Sequence, residues 1–147
     1  MSLADWRKSG KIQKHQSSEQ EIAALLAVAD RELADAGIAG VSADGRFRAA
    51  YNAVLSLATA ALHACGYRTP GHITGHHVST IQSLALTLGV EAALVDQLDV
   101  CRKKRNASTY DVAGAISEEE VRAILQIARH LRLRVEAWLR NNHPHLL

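Results

Sequence analysis

Apolar positions along this chain recur three and four residues apart, and no stretch alternates apolar with polar as a half-buried strand would. Ile22, Leu25, Leu26, Ala29 and Leu33 keep a helical period, and the preceding Ser18-Glu19-Gln20-Glu21 has the spacing of a capping box. That helix should end near Gly37. Ser42 opens a second helix in which Phe47, Tyr51, Val54, Leu55, Ala58, Leu62 and Cys65 form one stripe before Gly66 stops it. It is the longest and most apolar segment, and Ala49, Ala50, Ala53, Ala60 and Ala61 would let neighbouring helices come close. A short third helix carries Ile81, Leu84, Ala85 and Leu88 and stops at Gly89. A fourth starts near Glu91 and runs into CRKKRNASTYD, residues 101–111. Ser117-Glu118-Glu119-Glu120 is a second capping box, and it starts a fifth helix with Val121, Ile124, Ala128, Leu131, Val135 and Trp138 inward, ending around Pro144.

The pattern predicts an all-α fold, an up-and-down bundle of about four to five helices, as a single domain over residues 17–147. Residues 1–16 carry Arg7, Lys8, Lys11 and Lys14 with little apolar periodicity and read as a basic, flexible arm, with Trp6 available to touch nucleic acid or a partner.

Composition agrees with this picture. Among 147 residues, aromatics make up only 4% while Ala and Leu dominate, which favours helix over sheet. The most apolar window, Ala49 to Cys65, is interrupted by Asn52, Ser56, Thr59 and His63 and does not read as a membrane span. The first residues lack a secretory core and the two cysteines, Cys65 and Cys101, are isolated, so a cytoplasmic protein with reduced, core-packed thiols is expected. A net charge of +2 does not announce nucleic-acid binding, so the position of the charge matters more than its sum.

At about 100° per residue, Leu94, Leu98, Cys101 and Arg105 share one face of the fourth helix, with Arg102 and Asn106 one row round and Lys103 and Lys104 toward water. A guanidinium keeps its charge, so on a core-facing stripe it needs a reason. Either it snorkels past the end of the core or pairs with a carboxylate such as Asp111, or it holds a phosphate in a bidentate fork while Arg102, Lys103 and Lys104 add a positive field.

At Arg105-Asn106-Ala107-Ser108-Thr109-Tyr110 the chain resembles the HEPN superfamily of helical nucleotide-binding and RNA-cleaving domains. Those proteins carry, at the end of a late helix, an Arg followed by a polar residue and then a His a few residues on. Leu98 to Arg102, Tyr51 to Leu55 with Ala58, and the His pair opening the third helix extend the likeness over roughly residues 45–140. The resemblance implies a homodimer in which paired motifs line a shared cleft, RNA or a nucleotide as ligand, and, in a toxin–antitoxin setting, a nucleotidyltransferase or antitoxin as partner. It places Arg105 and Asn106 at the phosphate site, with Tyr110 and the cationic run Arg102, Lys103 and Lys104 expected in support. Tyr110 stands where the family has His, and a phenol with a pKa near 10 is a poor base, although it can donate to phosphate or stack on a base. The expectation is binding without chemistry. Arg105 and Tyr110 are the candidates should cleavage occur, in which case the reaction would be that of a metal-independent endoribonuclease. A plain interaction module, whose motif only ties two helices together, is the third reading.

His63, His72, His76 and His77 could supply a missing base. GHITGHH also raises a metal site, but Gly71 and Gly75 argue for loop and no Cys or carboxylate lies close in sequence, so capping of the third helix is the better reading of His76 and His77. No metal ligand and no cofactor is assigned. Arg122, Arg129 and Arg140 on the fifth helix read as a solvated row.

Overall fold

The structure is a computed structural model that describes residues 1–71, 76–110 and 114–147, the side chains of 108–110 excepted. In chain order the elements are α1 (Leu3–Lys8), β1 (Gln13–Lys14), α2 (Glu19–Ala36), α3 (Ala43–Ala64), β2 (Tyr67–Arg68), α4 (His76–Gln82), α5 (Leu84–Thr87), α6 (Ala92–Tyr110) and α7 (Glu118–Asn142), followed by a 3₁₀ turn at Pro144–Leu146.

Serines start α2, α3 and α7 as their spacing predicts. Ser18, Ser42 and Ser117 each accept from the amide three residues on, at 3.1 Å. Ser117 makes the full box, because Glu120 accepts from the Ser117 amide in return at 3.1 Å. Ser18 makes only half of one: the Glu21 carboxylate turns away to His15 and His63. Gly66 and Gly89, at φ +89° and +72°, take the left-handed backbone that ends α3 and α5 at low cost.

The four long helices alternate in direction. Arg46, at the start of α3, donates from Nε to the carbonyl of Ala36 at the end of α2 (3.0 Å), and Ser56 donates to Leu25 midway along (2.7 Å). The same Arg46 reaches Glu118 at the start of α7 (2.7 Å), and Arg132 pairs with Asp30 across α7 and α2 (2.8 Å). Lys104 near the end of α6 pairs with Glu120 at the start of α7, so α6 runs against α7. α3 lies at the centre: Tyr51, Ala53, Val54, Leu57, Ala58, Ala60 and Ala61 are wholly buried, and the alanines let α2 and α7 lie close against it. The outcome is the expected all-α bundle.

Three expectations change. Residues 1–16 are folded against the bundle: Ser2 and Asp5 cap α1, Trp6 and Ile12 pack on Leu62, and β1 pairs antiparallel with β2, Gln13 opposite Arg68. The basic residues hid two apolar anchors, and Lys11 itself lies 4.0 Å from the Trp6 ring centroid. A strand pair this short leaves no alternation to read. The third helix is two, α4 and α5, meeting at the buried Ser83, whose hydroxyl donates to the Thr80 carbonyl at 2.6 Å. Among the described residues no helix is long and apolar enough to cross a membrane.

Candidate functional site

Helical phase places Arg105 where the pattern said. Leu98 is fully buried, Leu94 and Cys101 pack on the core, and Arg105 follows half-buried. Its guanidinium carbon stands 5.8 Å from the centroid of the Tyr51 ring and Nη1 donates to Asn106 Oδ1 at 3.2 Å. The π face of a buried tyrosine accommodates the charge that the apolar stripe would otherwise penalise. Burial pushes the Tyr51 phenol up to about 12 against the opposing pull of Arg102 and Arg105. The proposed Asp111 partner lies outside the described residues.

The cationic run is divided between elements. Arg102 donates from Nε to Asp99 at 2.9 Å and Lys103 approaches the same carboxylate at 3.5 Å, which holds Asp99 below the usual carboxylate range, Arg102 first. Lys104 is taken up by Glu120 and lowers that carboxyl in the same way. Lys103 is 69% exposed, as its phase predicts. Arg102 and Asn106 are half-buried, whereas Lys103 and Lys104 are exposed.

They meet the histidines. His76, His77, Val78, Arg102 and Asn106 line one pocket of about 210 Å³ between α4 and α6. It falls below the roughly 300–1,000 Å³ that enclose a whole small molecule, and suits a phosphate group better than a complete nucleotide. The two rings stand edge to face, centroids 4.4 Å apart. Burial, then His76, Arg105 and Arg102, lower the His77 pKa, so its imidazole is neutral at neutral pH and can accept a proton. His72 and the Tyr110 side chain lie outside the described residues.

Both thiols are half-buried and raised by that burial, Cys65 to about 11, so neither is a ready nucleophile. Arg122, Arg129 and Arg140 are exposed on α7, as expected.

A second cluster was not legible in sequence. His15 Nε2 lies 2.8 and 2.9 Å from the two oxygens of Glu21, and His63 Nδ1 lies 2.7 Å from Oε1. The imidazole centroids are 4.5 Å apart. The histidine hydrogen bonds hold Glu21 below its ordinary value even though burial opposes them, while burial outweighs Glu21 at His63 and lowers that imidazole. The three come from the residue after β1, the first turn of α2 and the last turn of α3. In sequence His15 belongs to the basic arm, Glu21 to a capping box and His63 to the end of the second helix, with no spacing that joins them. No protein-family model, curated protein or solved structure matches this chain.

Proposed function

We propose that this chain is a HEPN-like homodimer that binds the phosphate of RNA or of a nucleotide in the pocket between α4 and α6. The observation that carries the reading is the meeting of Arg102 and Asn106 with His76 and His77 around a single opening. Arg102 supplies charge, Asn106 a directed donor or acceptor, and the helix-spaced Arg105 holds the Asn106 amide from behind. Lys103 and Lys104 add a screened field, and Tyr110 enters by the motif alone.

Anisotropy of a labelled oligoribonucleotide tests this. Binding should weaken steeply with salt, and Arg102→Ala with Asn106→Ala should weaken it by about tenfold or more. No binding to the unaltered protein at low salt would remove the proposal. These variants are cleaner than Arg105→Ala, which also uncovers Tyr51 in the core.

A second reading, metal-independent cleavage, is favoured by one observation: a neutral His77 beside two arginines. His77 would take the 2′-hydroxyl proton as the 2′-oxygen bonds to phosphorus and Arg102 steadies the phosphorane; the P–O5′ bond breaks, solvent protonates the departing 5′-oxygen and His77 returns its proton to solvent, leaving a cyclic phosphate and a 5′-hydroxyl. RNA cleavage in a chelator, lost in His77→Gln while binding persists, would select it. Intact RNA would leave the binding function alone.

A further inference from the structure

We infer that His15, Glu21 and His63 bind one first-row divalent metal ion, zinc being the reference case, and that the ion fastens the N-terminal segment to the end of α3. One ligand atom from each residue, all within 4.8 Å of one another, gives two imidazole nitrogens and a carboxylate oxygen. This is a donor set suited to zinc, nickel, copper or ferrous iron, whereas calcium and magnesium take oxygen ligands. Ligand atoms around tetrahedral zinc, at about 2.0–2.1 Å from the ion, stand roughly 3.3 Å apart. The 2.7–2.9 Å separations of each histidine nitrogen from the carboxylate need to open by a few tenths of an ångström, and the whole donor set, now within 4.8 Å, needs to draw in to that spacing.

The surroundings fit an ion. The three side chains are 20%, 30% and 16% exposed, enough cover to hold their rotamers and enough opening to let a metal and a completing water enter. The backbone fixes His15, whose amide donates to the Gly66 carbonyl at 2.9 Å, one residue past the cap of α3. His63 lies in the last turn of α3, where the helix dipole favours positive charge. Arg68 acts against the ion by adding positive charge near His63. With neutral imidazoles and one carboxylate, the site carries a single negative charge to meet two positive ones. Binding exchanges the N–H···O contacts for metal bonds, and each neutral imidazole then carries its proton on its other ring nitrogen.

The consequence for the fold is specific. The segment comprising α1 and β1 rests on Trp6, Ile12 and a two-residue strand pair. A metal bridging His15 to His63 would lock that segment to the bundle.

Zinc titration of the full chain in a non-chelating buffer tests this by calorimetry. One zinc per chain is expected, with a rise in Tm at saturation and slower hydrogen exchange over residues 1–16. His15→Gln and Glu21→Gln should each weaken zinc binding by about tenfold or more. His15→Gln lies outside the core helices and keeps the readout if His63→Gln fails to fold. The double variant His76→Gln, His77→Gln should bind zinc like the parent. Absence of zinc binding at ~100-fold excess over micromolar affinity, binding unaffected by His15→Gln, or binding lost with His76 and His77 would each overturn the site. Zinc binding that depends on the three residues but leaves exchange over residues 1–16 unchanged would overturn the fastening role.

Discussion

Tyr51 and Arg105 show how one residue changes the meaning of another. A guanidinium on an apolar stripe demands a partner, and phase alone offered a ligand or a carboxylate. The half-buried Arg105 also lies against the face of a tyrosine that the same stripe logic places in the core. The Tyr51 hydroxyl is buried with no hydrogen-bond partner among the described residues. Tyr51→Phe should therefore leave stability within about 1 kcal/mol of the parent or raise it slightly, in denaturant unfolding. Loss of several kcal/mol would show that the hydroxyl is bonded. His77 makes a second residue-scale prediction. Its pKa is lowered from 6.5, so the unfolded chain binds more protons, and the contribution of His77 to stability is present above that value and lost as pH falls through the folded pKa. Phosphate affinity should move the other way, rising as pH falls through the lowered folded pKa because the imidazolium attracts an anion. Anisotropy titrations of the parent and His77→Gln would show it, the variant giving the flatter profile.

At the scale of elements, two capping boxes with the same sequence spacing behave differently. At Ser117 the carboxylate of Glu120 returns to the helix and also receives Lys104 of α6. At Ser18 the corresponding Glu21 leaves for two histidines. Ser117→Ala should cost about 1 kcal/mol, as loss of an N-cap does, and Glu120→Ala somewhat more, because it frees Lys104 as well. Thermal melts of the two variants give the order. The N-terminal segment belongs to the same scale. Trp6 and Ile12 are too few to show periodicity, so charge dominated the reading, yet both are nearly fully buried. Trp6→Ala should release α1, seen as faster proteolysis of residues 1–16, with the remaining helices retaining their circular dichroism.

For the molecule as a whole, α3 sets the outcome, since it packs on α2, α7, α6 and α4. Leu57, fully buried at its centre, should lose roughly 2–5 kcal/mol as Leu57→Ala, because neighbours on several sides cannot all collapse into the space. Guanidinium unfolding would measure it, and a loss under 1 kcal/mol would show a far more plastic core. By itself the sequence determined the long helices, their caps, the buried stripe of α3 and the phase of Arg105, because each follows from periods and signals confined to neighbouring turns. Only the tertiary structure decided which chemistry the histidines join. His77 meets Arg102 across α4 and α6, and His15 meets His63 across residues 42 and 6 positions from Glu21. Such meetings depend on how helices are turned and stacked by the burial of their apolar faces. A local pattern fixes which face is buried and says nothing of what stands opposite it.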